Sequence, residues 1–392
     1  MLPWSHSRAA SRGFGSRNTR HETRNTAFYR NTKHETRLFS SAASAVLSLA
    51  ALLGLLGAAG LPALRAETPP GLLKITSKPS FLPAQRDWQR LGVADWELRH
   101  LERFHRGDGH EGWNIAYKSL GLNMTGVLAR PYINEEEEIK YPMVVLGHGY
   151  EGGVDARYRS VALDFARRGY VVLAPTFRGR AGPEGRSEGV VQIGRNEVID
   201  LLQLTQLGRK LEYVDSLRMA VIAEGHGATA ALLAIERSNV FRAAVIVSPL
   251  IFSGMPEYGY TGIDRLRGLQ QELFGRELSR PDLLRELYQR DMFRQARRIG
   301  TPMIFMHTDS DPGYRDQRRF LGVLAEHGIQ PDVLEFPGLS PLFLTGFDDG
   351  ARPARWHQQR DDAWSRIFAF LEEQMPEPPP EDEAEAEEEV TP

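Results

Sequence analysis

Between Trp113 and Glu373 the sequence alternates short, largely apolar runs with longer helical stretches, and few architectures accommodate that alternation. The apolar runs are Tyr141-Pro-Met-Val-Val-Leu146, Tyr170-Val-Val-Leu-Ala-Pro175, Met219-Ala-Val-Ile-Ala223, Ala243-Ala-Val-Ile-Val-Ser248, Met303-Ile-Phe-Met-His307 and Pro331-Asp-Val-Leu-Glu-Phe336. Each is bounded by turn residues, as expected of a strand covered on both faces. Helices are predicted over 158–168, 196–211, 228–235 and 361–373, and a hairpin from Asn114–Tyr117 and Met124–Pro131 leads in. The expected domain, 113–375, is therefore α/β, with a mostly parallel, doubly wound sheet and helices on both faces. In such a sheet the chemistry lies at the carboxyl ends of the strands.

The flanks differ from this body. Residues 1–37 carry eight Lys or Arg against Glu22 and Glu35, and Arg17-Asn-Thr-Arg-His-Glu-Thr-Arg24 returns as Arg30-Asn-Thr-Lys-His-Glu-Thr-Arg37. Their composition buries no core and reads as a disordered basic extension. Leu38–Leu64 has no charge, and Leu64-Arg-Ala66 resembles a cleavage site. Residues 38–66 are expected to be a cleaved signal peptide or an uncleaved membrane anchor, with a buried helix as the remaining alternative. The preceding positive charge puts the domain outside the cytoplasm, periplasmic or secreted, or held to the membrane by its N-terminus. Residues 67–112 read as a packing segment, helical in part. Residues 376–392 read as a disordered acidic tail, with eight acids from Glu377 onward and no base.

The chain has no cysteine, which excludes disulfides, thiolate metal sites and cysteine nucleophiles. Its body is near neutral, which gives no nucleic-acid footprint. No dinucleotide fingerprint or phosphate-binding loop is present. No cofactor is expected. His105, Asp108 and His110 lie close in sequence, but their spacing matches no established metal site.

Four segments at predicted strand ends carry the functional reading: Leu146-Gly-His-Gly-Tyr-Glu-Gly-Gly153, Ala223-Glu-Gly-His-Gly227, Thr301-Pro-Met-Ile-Phe-Met-His-Thr-Asp-Ser-Asp311 and Phe336-Pro-Gly-Leu-Ser-Pro341. Together with the strand order they resemble the α/β-hydrolase superfamily, closest to its prolyl oligopeptidase and dienelactone-hydrolase-like branch. The resemblance covers about Trp113 to Glu373. It implies an oxyanion hole formed by backbone N–H groups at Tyr150 and His226, and a G-x-S-x-G nucleophile turn. Small residues are needed two positions either side of the nucleophile. Only Gly225, between Ala223 and Gly227, satisfies this, so glycine falls at the serine position. Asp311 falls at the acid position, and Pro341 at the position of the histidine. Glycine has no nucleophilic atom and proline accepts no proton.

The expected protein is thus a degenerate, non-catalytic relative that binds a small molecule, a peptide or a partner in the inherited crevice, or serves as a scaffold. The alternative is an active serine-type peptidase or carboxyl-ester hydrolase using other residues. His357 is a possible replacement base. Ser248, Ser310 and Ser340 are possible hydroxyls, though each reads more simply as a loop residue. The His226 side chain is either a ligand contact or a packed residue at a helix start. The stretch Ile251–Gly300 is expected to roof the crevice, with Met255-Pro-Glu-Tyr-Gly-Tyr260 against a ligand.

Overall fold

The computed structural model describes residues 72–74 and 97–377, apart from 135, 137, 150–151, 183–184 and 347–354. The basic extension, the apolar leader and all but the first residues of the acidic tail lie outside this set. Among the described residues no helix is long and apolar enough to cross a membrane.

The chain enters as an antiparallel meander. The strands are β1 (Leu72–Lys74), β2 (Glu97–Gly107), β3 (His110–Ser119) and β4 (Leu122–Pro131). Two-residue turns at Asp108-Gly109 and Leu120-Gly121 join the last three, with φ positive at all four residues. That is the backbone a tight hairpin needs to match strand twist. The expected helical character of residues 67–110 is not met in the described part. Glu97–Gly107 is a long strand paired along β3, and β3 begins at His110, so the sheet runs through the expected 112/113 domain boundary.

The α/β units follow: β5 (Tyr141–Gly147), α1 (Ala156–Ala166), β6 (Val171–Pro175), a small ribbon of β7 (Ala181–Gly182) and β8 (Gly185–Arg186), α2 (Asn196–Gly208), β9 (Val214–Glu224), α3 (Gly225–Arg237) and β10 (Ala243–Val247). An insertion carries three short helices, α4 (Ile263–Gly268), α5 (Gln270–Phe274) and α6 (Arg280–Gln289). The chain closes with β11 (Met303–His307), α7 (Tyr314–Glu326), β12 (Asp332–Glu335) and α8 (Trp356–Gln374). The main sheet runs β1-β2-β3-β4-β6-β5-β9-β10-β11-β12, and every pair from β6 to β12 is parallel.

Side-chain alternation divides the core into two layers. Val171 and Leu173 of β6 join the layer under α2, α3 and α7, whereas Val172 and Ala174 join the layer under α1 and α8. The strands β6, β10 and β11 are buried along their whole length, which is why they read as continuous apolar runs. Asp155 caps α1, accepting from the backbone N–H of Arg157 at 2.9 Å. After β5 the chain moves one way to β6 and returns on the other side as β9. The crevice between the carboxyl ends of β5 and β9 is therefore the switch point where α/β sheets place their sites.

Candidate active site

β9 ends at Glu224 and α3 starts at Gly225, so Gly225 is the apex of a sharp strand–helix elbow with φ +53°. A side chain is strained at that φ, whereas glycine adopts it readily. The elbow presses on the end of β5. A Cβ on Gly227 would lie 2.4 Å from the Gly147 carbonyl carbon, and one on Gly147 would lie 2.8 Å from the Ala223 Cβ. Gly227 N–H donates to the His148 carbonyl at 2.9 Å, tying helix start to strand end.

The space in front of the apex is filled. A Cβ on Gly225 would meet Leu342 Cδ2 at 3.0 Å, and a Cβ on Gly149 would meet Leu342 Cδ1, also at 3.0 Å. The Leu342 isobutyl group therefore sits between the glycine-rich loop and the elbow. The segment carrying it is held by the residue before the apex. The fully buried Glu224 carboxylate accepts from Leu344 N–H (2.8 Å), Thr345 N–H (3.2 Å) and the Thr345 hydroxyl (2.5 Å). About 10 Å³ of space adjoins this cluster, close to the least that holds one water. Burial pushes the Glu224 carboxyl up to about 7, although its hydrogen bonds from Thr345 and Leu344 pull the other way.

Hydrogen bonds also hold the glycine-rich loop. Gly149 N–H donates to the Tyr158 hydroxyl at 2.8 Å. Tyr158, Glu224 and Thr345 border the same small space. His148 is fully buried, and burial holds its imidazole down at about 3. Its Nε2 accepts from Phe177 N–H at 3.0 Å, which leaves the proton on Nδ1 to donate to the Gly149 carbonyl at 2.7 Å. Tyr150, at one expected oxyanion-hole position, lies outside the described residues.

Asp311 is buried, and both its oxygens are engaged. Oδ1 accepts from Gly313 N–H (2.7 Å) and Oδ2 from Gln317 Nε2 (2.8 Å). Among the described residues no imidazole hydrogen-bonds to it. The loop before α7 and the loop after β12 are joined through other groups. Thr308 and Ser310 hydroxyls donate to the Leu339 carbonyl, and Asp309 Oδ1 accepts from Gly338 N–H at 2.7 Å. Pro341 lies half-buried in the turn next to Leu342. Sequence position therefore brings Asp311 and Pro341 onto neighbouring loops, but the links between those loops come from Thr308, Asp309 and Ser310.

The His226 ring points away from the crevice. It is fully buried, 3.7 Å from Glu197 of α2 and against Phe177. As the second residue of α3, its backbone lies in the first turn, where N–H groups lack intrahelical partners. The side-chain reading as a ligand contact at the apex is corrected by this inward orientation. Burial raises the Glu197 carboxyl, but His226 and the Gln192 N–H outweigh it and hold it at about 2. Beside it, buried Asp200 accepts from Arg178 Nε (2.8 Å), Arg178 Nη2 (2.6 Å) and the Ser119 hydroxyl (2.6 Å).

The other candidates scatter. Ser248, at the end of β10, is buried at φ +48°, and its hydroxyl has no hydrogen-bond partner among the described residues. Ser340 Oγ accepts from Leu342 N–H at 3.4 Å. His357 is exposed on the first turn of α8 and packs edge-on against Trp356. His105 and His110 stack with centroids 4.6 Å apart, and among the described residues no group of three metal-binding side chains assembles. Sequence reasoning missed Glu224 and Leu342. Nothing local to Glu224 signals a partner 120 positions away.

The sheet order, the elbow and the strand-end loops define an α/β-hydrolase fold. Acylaminoacyl peptidase of Pyrococcus horikoshii superposes with TM-score 0.54 at 18% identity, over 69% of this chain and 43% of that one, so the chain spans less than half of that enzyme's length. Acetyl xylan esterase 1 of Thermoanaerobacterium sp. superposes with TM-score 0.51 at 17% identity, over 73% of this chain and 92% of the other. Residues 157–339 match the model of the prolyl oligopeptidase family. Uncharacterized peptidase YtmA of Bacillus subtilis is 28% identical over 212 residues, 53% of this chain and 77% of that protein.

Proposed function

We propose that this chain is a catalytically silent prolyl oligopeptidase-like protein, serving as a binding or scaffold protein rather than a hydrolase. The observation that supports the reading most directly is Gly225 at the apex with Leu342 packed where a nucleophile would project. Without an attacking atom there, backbone donors and binding alone provide only a weak residual rate. Among the described residues Asp311 is hydrogen-bonded by Gly313 and Gln317 rather than by an imidazole, which supports the same reading.

A second reading, an active serine-type peptidase or carboxyl-ester hydrolase, draws on the family and on one residue. Ser248 combines a strained backbone with an unpaired buried hydroxyl one strand away from the elbow. A fluorophosphonate probe on the purified chain, read by peptide mapping, separates the two. No labelled serine is expected. Stoichiometric labelling of Ser248 would instead establish the hydrolase. Gly225→Ser is expected to stay inert, since its Cβ would press on Leu342 and the neighbouring Glu224 carboxylate is turned to Leu344 and Thr345.

The proposal includes export of the domain. A fusion of residues 1–66 to a reporter that is active only outside the cytoplasm is expected to give activity. A reporter that stays silent while the fusion accumulates intact would reject that part.

A further inference from the structure

A cleft of about 1020 Å³ opens between the insertion after β10 and the start of α7. Its walls are unlike the filled apex. From α4 comes Arg265, and from α7 come Arg315 and Arg319, one turn apart on the same face. Asp316 lies among them, and all three arginines act on its carboxylate. The second acid at the rim, Asp264, is already paired with Arg267 at 2.6 Å. Arg319 reaches one donor, Nη2, to the Glu257 carbonyl at 3.1 Å, which fixes the guanidinium against the insertion. Among the described residues no carboxylate forms an ion pair with Arg265 or Arg315. Three arginines against Asp316 and Asp264 leave an excess of positive charge facing one concave space, with Arg267 beyond the rim beside Asp264. Tyr260, Ile263, Leu269 and Pro312 supply an apolar wall to the same cleft.

We propose that this cleft binds a small organic phosphate monoester, its dianion between Arg265, Arg315 and Arg319 and its organic group against Tyr260 and Ile263. The excess of positive charge suits an anion, and three planar guanidinium groups converging on one space can pair with phosphate oxygens in a bidentate fashion. A volume of this order suits a small ligand whose apolar part is held by side chains and whose orientation is set by a few polar groups. Tyr260 stands in the left-handed region at φ +52°, held by a hydrogen bond to the Met255 carbonyl, so the wall residue is positioned by its own loop. The cleft is separate from Gly225 and Leu342. Its occupancy and the silence of the elbow are therefore tested separately, and failure of one leaves the other standing.

The test is isothermal titration calorimetry of the full chain with phenyl phosphate, at an ionic strength held constant with sodium chloride. Saturable binding at one site is expected, with inorganic phosphate weaker because it leaves the apolar wall uncovered. Arg265→Gln and Arg315→Gln should each weaken phenyl phosphate by about tenfold, the value of one charged hydrogen bond. Arg366→Gln, an exposed arginine on α8, should change nothing. The two cleft arginines lie on different elements, so one variant remains informative if the other melts early by circular dichroism. The proposal is overturned by the absence of saturable heat, by full affinity in both cleft variants, or by an equal loss in Arg366→Gln.

Discussion

Asp200→Ala is expected to lower unfolding free energy by about 3–5 kcal/mol, the cost of leaving a buried ion without its partner. Asp200 is fully buried in α2, and Arg178, 4% exposed, clamps it through Nε and Nη2. Burial raises the Asp200 carboxyl above its usual range, and the Arg178 and Ser119 hydrogen bonds oppose that rise. Truncation leaves the guanidinium stranded beneath the crevice. Arg178 follows Phe177, whose N–H is held by His148, so the disturbance reaches the glycine-rich loop. Urea unfolding at pH 7 measures the effect. Replacing both partners with apolar residues, Arg178→Met with Asp200→Leu, should recover most of the loss, because no orphaned charge remains. A single-variant loss below about 1 kcal/mol would show that Arg178 finds solvent or another acceptor.

Glu224→Gln is expected to remove a pH dependence of stability worth about 3 kcal/mol. The folded carboxyl sits at about 7, above its ordinary 4.5. A raised folded value means that the native state holds the proton more tightly than the unfolded chain does. Its stabilising contribution is complete below pH 4.5 and is lost as pH rises through about 7. Glutamine keeps an oxygen for the Leu344 and Thr345 N–H groups and has no proton to lose. Unfolding curves of wild type and Glu224→Gln should therefore lie close together at pH 4.5, and the wild type should fall below the variant at alkaline pH. Parallel curves across that range would mean that the carboxyl titrates as though solvated.

The parallel part of the sheet was legible in the sequence because its strands are buried on both faces. Val171–Pro175 and Ala243–Val247 are apolar at every position and can be little else. The elbow was legible because Gly227 meets the backbone of Gly147 and His148 at distances that admit no side chain. The β2 strand was not. It is half-exposed, rich in Arg and His, and gains its structure from pairing with β3 rather than from a pattern of its own. At the site, residue types at fixed offsets pointed to Gly225, which stands at the strand–helix bend. Which way a side chain turns was beyond that reasoning: His226 faces Glu197 below the sheet end, and Leu342 faces the apex. Both outcomes depend on packing between segments far apart in sequence, which leaves no local trace.

The bond between Glu224 and Thr345 closes a loop of 121 residues. On a ribosome the elbow emerges long before the segment that seals it. Until Leu344 and Thr345 arrive, the Glu224 carboxyl has only water to satisfy it, and the methyl groups of Leu342 are not yet there to shield Gly149 and Gly225. Contacts of such span are late and slow to form. Vectorial synthesis thus delivers the elbow well before the segment that seals it, and the core helix α8 follows later still.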